Sequence, residues 1–224
     1  MRLVFKNRSF ISVWLLLAIV VPAAGHAAES EKWAKAIDAF EQQDRETPPS
    51  QGGLLFVGSS SIRMWDLKKS FPDRLALNRG FGGSQMSDVI QYVDRIVIPY
   101  APKIIVLYEG DNDISAGKSA DQVTHDFQSL VGLVHAKLPE TKVVFISIKP
   151  SPKRWELYSK MKQANDQIQS LTEKDDRLDF VDVSRVMIGD DGLPIQSLFV
   201  EDGLHLNAEG YQRWANLVRP HLSR

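Results

Sequence analysis

Three consecutive serines follow a short apolar run in the segment FVGSSSIRMW, residues 56–65. A serine hydroxyl at the end of a buried strand can act as a nucleophile when a nearby base removes its proton. The same place in a chain also suits a helix N-cap, where a serine oxygen accepts hydrogen bonds from free backbone N–H groups. The G-x-S-x-G elbow of ordinary α/β-hydrolases is absent, because Ile62 stands where its last glycine belongs. The segment alone therefore leaves both roles open.

Asp202 and His205 lie three residues apart in the segment EDGLHLNAEGY, residues 201–211. In a tight turn, a carboxylate at this spacing can hold the near imidazole nitrogen and leave the other nitrogen free as a base. The alternatives are a helix cap beside a surface histidine, or a metal site. A metal would need further ligands, and His125 and His135 lie in a predicted helix far away in sequence. We therefore predict an acid–base pair and no metal.

Two further segments could stabilise negative charge on a reacting oxygen. Asn112 follows an apolar run in YEGDNDI, residues 108–114, and its amide could donate to an oxyanion or simply cap a turn. The segment NRGFGGSQ, residues 78–85, contains three glycines that could bring a backbone N–H close to a ligand. Its glycine spacing differs from G-x-G-x-x-G, so a dinucleotide site is not predicted.

Alternating strands and helices must position these segments. Short, continuously apolar runs predict strands at 54–58, 74–77, 103–109, 142–148 and 178–183, and helical patterns separate them at 86–97, 119–137, 153–174 and 207–222. This alternation predicts a single three-layer α/β/α domain with a mostly parallel sheet of about five strands. In such sheets ligands bind at the carboxyl ends of the strands, where the polar segments described above begin.

Taken together and in this order, four segments closely resemble the SGNH (GDSL-type) hydrolase superfamily. They are FVGSSS, NRGFGGS, GDND and DGLH, and the resemblance runs from about residue 54 to residue 219. It implies the flavodoxin-like fold of that superfamily and a carboxylic ester hydrolase that needs no cofactor.

The resemblance also implies a role for each candidate residue. Ser60 is the expected nucleophile, His205 the base and Asp202 its orienting partner. The expected oxyanion hole combines the backbone N–H groups of Ser60 and Gly83 with the side-chain amide of Asn112.

One position departs from the family pattern. Ser59 stands where the name-giving G-D-S motif has aspartate, and we expect this short polar residue still to cap the turn. Polar or aromatic residues are candidates for the rim of the site: Arg79, Gln85, Lys149, Lys153, Arg154 and Trp155. Among them, only Arg79 is predicted to bind substrate.

The polar rim favours short acyl esters, above all acetyl, on a small polar or carbohydrate substrate over long-chain lipids. Alternative functions are O-acyl transfer to a glycan, a lysophospholipase or thioesterase type of acyl hydrolysis, and a non-catalytic glycan-binding module of the cell envelope.

The N-terminal 27 residues have the form of a secretory signal peptide. A basic start precedes the apolar run from Phe10 to Val21, which is shorter than the roughly 20 apolar residues of a membrane-spanning helix. We expect a helix and loop at 28–53, a hydrolase domain at 54–224, and a periplasmic or secreted protein with no stable membrane insertion after cleavage. The chain has no cysteine, which excludes disulfides, and no long basic run, so nucleic acid is not a predicted partner.

Overall fold

A single parallel sheet of five strands lies at the centre of the structure, a computed structural model that describes residues 32–223. The strands are β1 (Leu54–Gly58), β2 (Ala76–Gly80), β3 (Ile104–Tyr108), β4 (Lys142–Ile146) and β5 (Leu178–Val181). Their order is β2-β1-β3-β4-β5, and every neighbouring pair is parallel. This is the order of flavodoxin-like doubly wound folds. The predicted α/β class and the five-stranded sheet are confirmed.

Helices cover both faces of the sheet. They are α1 (Ala34–Glu46), α2 (Ser60–Arg63), α3 (Leu67–Ser70), α4 (Met86–Ile96), α5 (Asp111–Ser115), α6 (Ala120–Lys137), α7 (Tyr158–Thr172) and α8 (Ala208–Val218). One face packs against α1, α4, α6 and α7, and the other against α2, α3 and α8. A capping box between Ser119 and Gln122 fixes the start of α6, and the Asn207 side chain caps α8.

The two central strands are buried along their whole length. Every residue of β1 and β3 is buried, which explains why both strands read as continuous apolar runs. Alternate residues contribute to separate cores on the two faces: Leu55 and Val57 belong to one core, and Phe56 to the other. Burial of each large apolar side chain stabilises the fold by about 1.5–3 kcal/mol. The two central strands therefore hold the segments at their carboxyl ends in fixed positions.

Strand β2 lies further along the chain than predicted. It pairs with β1 from Ala76 to Gly80, whereas the apolar pattern predicted a strand at 74–77. The polar residues Asn78 and Arg79 concealed its second half. Asn78 donates to the carbonyl of Ile62 at 2.7 Å, and Arg79 forms a buried ion pair, so both polar side chains are satisfied inside the fold.

The N-terminal helix belongs to the same compact unit as the sheet, because that unit begins at Trp33. In α1, Ile37 is fully buried, and Glu41 accepts a hydrogen bond of 2.6 Å from Arg95 on α4. Residues 33–53 therefore belong to the same compact unit as the sheet. The predicted signal peptide, residues 1–27, lies outside the described residues. Between residues 32 and 223, no helix is both long and apolar enough to cross a membrane.

Candidate active site

The turn from β1 into α2 brings the serine triplet to the carboxyl edge of the sheet. Gly58 has a φ of +143°, and a Cβ atom there would lie 2.0 Å from the carbonyl oxygen of Tyr108. Only glycine can therefore occupy this position. The tight turn places Ser60, which is half-buried, at the start of α2 between the buried Ser59 and Ser61.

Ser59 occupies the N-cap position of α2, but its side chain makes no capping hydrogen bond. The expectation that it caps the turn is therefore wrong. Two other bonds hold the turn: the N–H of Ser59 donates to Tyr108 O at 3.3 Å, and the Tyr211 hydroxyl donates to Ser61 O at 2.9 Å.

A continuous chain of hydrogen bonds joins Ser60, His205 and Asp202. Ser60 Oγ lies 2.9 Å from His205 Nε2, and His205 Nδ1 lies 2.6 Å from Asp202 Oδ2. The structure thus brings together residues that are 145 positions apart in the sequence. With Asp202 as acceptor, Nδ1 carries the proton and Nε2 can take one from the serine hydroxyl.

The loop before α8 holds Asp202 in place. Its Oδ1 accepts hydrogen bonds from the backbone N–H groups of Leu204 at 2.8 Å and His205 at 2.9 Å. Partial desolvation raises the pKa of Asp202, but the hydrogen bonds from the His205 ring and from these two N–H groups outweigh it and lower the pKa to about 2. Asp202 is therefore ionised at neutral pH and able to stabilise an imidazolium.

The glycine segment after β2 packs closely beside the serine turn. The N–H of Phe81 donates to Gly58 O at 2.9 Å, and a Cβ atom on Gly80 would lie 2.3 Å from the backbone nitrogen of Arg63. Gly83 has a φ of +81° and is exposed, and the ring of Trp33 from the N-terminal segment lies against it. A side chain at Gly83 would be strained and would also press on this ring.

Asn112 lies in the first turn of α5, just beyond the carboxyl end of β3. Its Nδ2 donates to the carbonyl oxygen of Ser84 at 2.8 Å, and its Oδ1 accepts from the Arg154 guanidinium at 3.2 Å. An amide nitrogen carries two protons, so the bond to Ser84 leaves one for another acceptor. The arrangement can thus offer a fixed N–H donor at the same edge of the sheet as Ser60.

Comparisons with known proteins agree with this geometry. The model of the GDSL-like lipase/acylhydrolase family matches residues 58–213, which is more than half of the chain. The chain belongs to the GDSL-like lipase/acylhydrolase family. It is therefore a carboxylic ester hydrolase, and the predicted membership of the SGNH (GDSL-type) superfamily is confirmed.

Individual relatives are similar over most of their length. Human platelet-activating factor acetylhydrolase IB subunit alpha1 is 26% identical over 188 residues, which cover 80% of this chain and 78% of that protein. Among solved structures, a GDSL-like lipase from Bacteroides thetaiotaomicron is 20% identical with a TM-score of 0.69, covering 87% of this chain and 97% of the other. A variant of an acetylxylan esterase from Geobacillus stearothermophilus is 15% identical with a TM-score of 0.62, covering 78% and 95%.

Arg79 of this acylhydrolase does not do what the sequence predicted. Its side chain is 2% exposed, forms an ion pair with Asp44 of α1 and donates to the Tyr100 hydroxyl at 2.8 Å. The guanidinium also lies 4.9 Å from the ring centres of Phe40 and Tyr100. Because this cation is buried and fully partnered, the prediction that it binds substrate is wrong. Its ion pair with Asp44 instead connects α1 to strand β2 of the sheet.

Sequence reasoning missed a charged network behind Asn112 in this family member. Lys149 is 1% exposed, and its ammonium lies 2.6 Å from Asp111 Oδ2, while Arg154 Nη1 lies 2.5 Å from Asp111 Oδ1. Burial raises the pKa of Asp111, but the two cations outweigh it and hold that pKa below its usual value. The only sign of this network in the sequence is that Asp111 follows β3 and that Lys149 and Arg154 follow β4. That position suggested residues at an exposed rim rather than a buried network.

Within the part of the chain that the structure describes, no group of three histidine, aspartate or glutamate side chains is placed to hold a metal ion.

Proposed function

We propose that this acylhydrolase is a serine esterase that hydrolyses short acyl esters, above all acetyl esters, of a small polar or carbohydrate alcohol. The observation that carries the proposal is the unbroken chain from Ser60 Oγ through both nitrogens of His205 to Asp202, with distances of 2.9 Å and 2.6 Å. Serine, histidine and aspartate in this order activate the hydroxyl as a nucleophile at neutral pH.

The reaction would proceed in two halves. Ser60 Oγ attacks the ester carbonyl carbon while His205 Nε2 takes the hydroxyl proton, and Asp202 stabilises the resulting imidazolium. His205 then returns the proton to the leaving alcohol, which gives an acyl-enzyme. In the second half His205 removes a proton from water, the hydroxide adds to the acyl carbon, and Ser60 leaves with its proton restored.

The negatively charged oxygen that forms in each half of the reaction must be stabilised by hydrogen-bond donors. We assign this role to the backbone N–H groups of Ser60 and Gly83 and to the free Nδ2 proton of Asn112. All three residues lie in segments that follow the carboxyl ends of neighbouring strands. Removing one such donor typically lowers turnover by about 10²–10³-fold.

The preference for acetyl esters draws on two supports. Relatives of this chain are named for acetyl esters, as platelet-activating factor acetylhydrolase and as acetylxylan esterase. In addition, polar groups lie beside the catalytic candidates: the guanidinium of Arg154 contacts Asn112, and the imidazole of His205 contacts Ser60. A polar surrounding suits a small acyl group on a hydrophilic alcohol better than a long alkyl chain.

We also propose that the protein is exported to the periplasm or beyond the cell. Support comes from the sequence of residues 1–27, with its basic start and its short apolar run. A substrate of the carbohydrate type, found in cell envelopes, would be consistent with this location.

Hydrolysis of p-nitrophenyl esters tests the proposed nucleophile. We expect the purified protein to cleave p-nitrophenyl acetate faster than the butyrate and octanoate, and Ser60→Ala to lower kcat/KM by at least about 10³-fold. Ser59→Ala is the matched control, because it removes the neighbouring hydroxyl from a side chain that makes no cap. Full activity in Ser60→Ala with loss in Ser59→Ala would overturn the assignment.

Acetylated sugars then test the substrate class. Initial rates of acetate release from O-acetylated xylo-oligosaccharides are compared with rates of fatty-acid release from a lysophospholipid. Faster release from the sugars supports the proposal. Faster cleavage of the lipid contradicts it, and transfer of acetyl to added glycan instead of water would reveal an acyltransferase.

A further inference from the structure

The side-chain amide of Asn112 is held at both ends. Its Oδ1 accepts from Nη1 and Nη2 of Arg154, each at 3.2 Å, and its Nδ2 donates to Ser84 O at 2.8 Å. A guanidinium has donors only, and a backbone carbonyl has acceptors only. The amide therefore cannot rotate by 180° without losing every one of these bonds, so its nitrogen is fixed on the side of the glycine segment.

A buried ion pair of Asp111 and Lys149 holds Arg154 in position. Its Nη1 lies 2.5 Å from Asp111 Oδ1, and Asp111 Oδ2 lies 2.6 Å from the ammonium of Lys149. Lys149 also donates to the Tyr108 hydroxyl at 3.1 Å. Because Asp111 and Lys149 are almost fully buried, this pair is a rigid support for the guanidinium, whose own side chain is 17% exposed.

The charges of this network favour an oxyanion. One carboxylate lies between two cations, so the network of Asp111, Lys149 and Arg154 has a net positive charge. A cation that hydrogen-bonds to an amide oxygen draws electron density from the amide and makes its N–H groups stronger donors. Such a charge acts more strongly in this partly buried position than it would in water.

We propose that Arg154 is a positioning residue of the reaction, which fixes the orientation of the Asn112 amide and strengthens its N–H as an oxyanion donor. This inference rests on the proposed function, since it assumes that Asn112 stabilises the oxyanion formed after attack by Ser60. Arg154 acts through Asn112 and on the transition state, so its loss lowers kcat and leaves substrate binding nearly unchanged.

A double-mutant cycle between Arg154 and Asn112 tests the proposal. We expect Arg154→Met to lower kcat for p-nitrophenyl acetate by about 10–100-fold, with KM within about twofold of the wild-type value, and Asn112→Ala to lower kcat by about 10²–10³-fold. In the Asn112→Ala background, Arg154→Met should cost less than about threefold, because the residue through which it acts is gone. Arg154→Lys keeps the charge but not the forked contact, so its kcat should lie between Arg154→Met and wild type.

The matched control is Lys153→Met, which removes a positive charge from the adjacent residue. The side chain of Lys153 is exposed, and its backbone N–H donates to Gly203 O at 3.0 Å, a bond that the substitution keeps. We expect a kcat within about twofold of wild type. Melting temperatures of all variants are measured, and circular dichroism checks that each variant is folded.

Each outcome separates this inference from the proposed function. If Arg154→Met costs as much in the Asn112→Ala background as in the wild type, Arg154 does not act through Asn112 and the inference is overturned. A raised KM with unchanged kcat would also overturn it, because that result assigns Arg154 to substrate binding. An inactive Ser60→Ala with a fully active Arg154→Met rejects only the inference, whereas an active Ser60→Ala rejects the proposed function itself.

Discussion

The two halves of the candidate site differ sharply in their exposure to water. The acid–base half lies in a surface loop, where the side chains of Asp202 and His205 are 47% and 23% exposed. The half that holds Asn112 is built on buried charges, with the side chains of Asp111 and Lys149 only 5% and 1% exposed. In the proposed second half His205 must be reached by the attacking water, whereas an oxyanion donor must already point the right way when charge develops. The difference in burial matches this difference in task.

Two aspartate-to-asparagine substitutions, one in each half, should show the largest difference in stability between the halves. Asp111→Asn leaves the buried Lys149 ammonium without an anionic partner, and we expect the free energy of unfolding to fall by about 3–5 kcal/mol. Asp202→Asn removes a carboxylate from an exposed pair, so its cost in stability should be about 0–1 kcal/mol while its kcat falls steeply. Denaturant unfolding measures both values.

The double variant Asp111→Asn/Lys149→Met serves as the control for the first substitution. It removes the buried ammonium together with its partner, so most of the lost stability should return. An Asp111→Asn protein as stable as the Asp202→Asn protein would contradict the division of the site into an exposed and a buried half.

Glu109 is a second buried carboxyl group in the half of the site that holds Asn112. Ser84 Oγ lies 2.9 Å from Phe81 O and 2.5 Å from Glu109 Oε1. The Ser84 hydroxyl donates to Glu109 and also lies within hydrogen-bonding distance of the Phe81 carbonyl, so two acceptors share its single proton. Burial, followed by the nearby charge of Asp113, raises the pKa of Glu109 well above its usual value. The native state therefore keeps the Glu109 proton to a higher pH than the unfolded chain does.

Glu109→Gln should accordingly stabilise the protein, and more so as the pH rises. A raised carboxyl pKa costs stability above the unfolded value of 4.5, and glutamine keeps an acceptor for the Ser84 hydroxyl without that cost. We expect a gain on the order of 1 kcal/mol at pH 8 and almost none at pH 4, measured by urea unfolding at both pH values. A loss of stability at pH 8 would show that Glu109 is ionised and needed as a charge.

The smallest expected effect concerns Asp202 and the acid side of the pH–rate profile. The pKa of Asp202, lowered to about 2, keeps this carboxylate ionised as the pH falls from 7 to 4. Its contribution to stability is lost only as the pH drops from about 3.8 towards 2. We expect kcat/KM measured between pH 4 and pH 7 to show no step that belongs to the protonation of Asp202. Loss of kcat/KM in Asp202→Asn that matches a protonation step of the wild type between pH 3.5 and pH 5 would contradict this assignment.

The sequence predicted best what depends on local spacing. Asp202 and His205 are three residues apart, and a single tight turn brings side chains at that spacing close together. Their hydrogen bond could therefore be predicted from the sequence. The order of strands and helices was equally clear, because β1 and β3 are apolar throughout. Ser60 required the resemblance to a known family, since its partner His205 lies 145 residues away.

The errors share one physical cause, which is that the sequence does not fix the direction of a polar side chain at the end of a strand. Arg79 lies near the carboxyl end of β2 and Lys149 lies beyond that of β4, and both were expected at an exposed rim. In the structure each is almost fully buried against an aspartate from another element: Asp44 for Arg79, and Asp111 for Lys149. Such pairings depend on contacts between distant elements, which neither composition nor periodicity records.

The attachment of α1 has a consequence for the order of folding. Its anchoring contacts join Asp44 to Arg79 and Tyr100, and Glu41 to Arg95, across separations of 35 to 56 residues. Closing a contact of such range requires the intervening chain to be ordered. As the polypeptide emerges from N- to C-terminus, α1 precedes β2, α4 and Tyr100 and can dock only once they have followed. The ring of Trp33 therefore reaches the turn at Gly83 only after these later elements are in place.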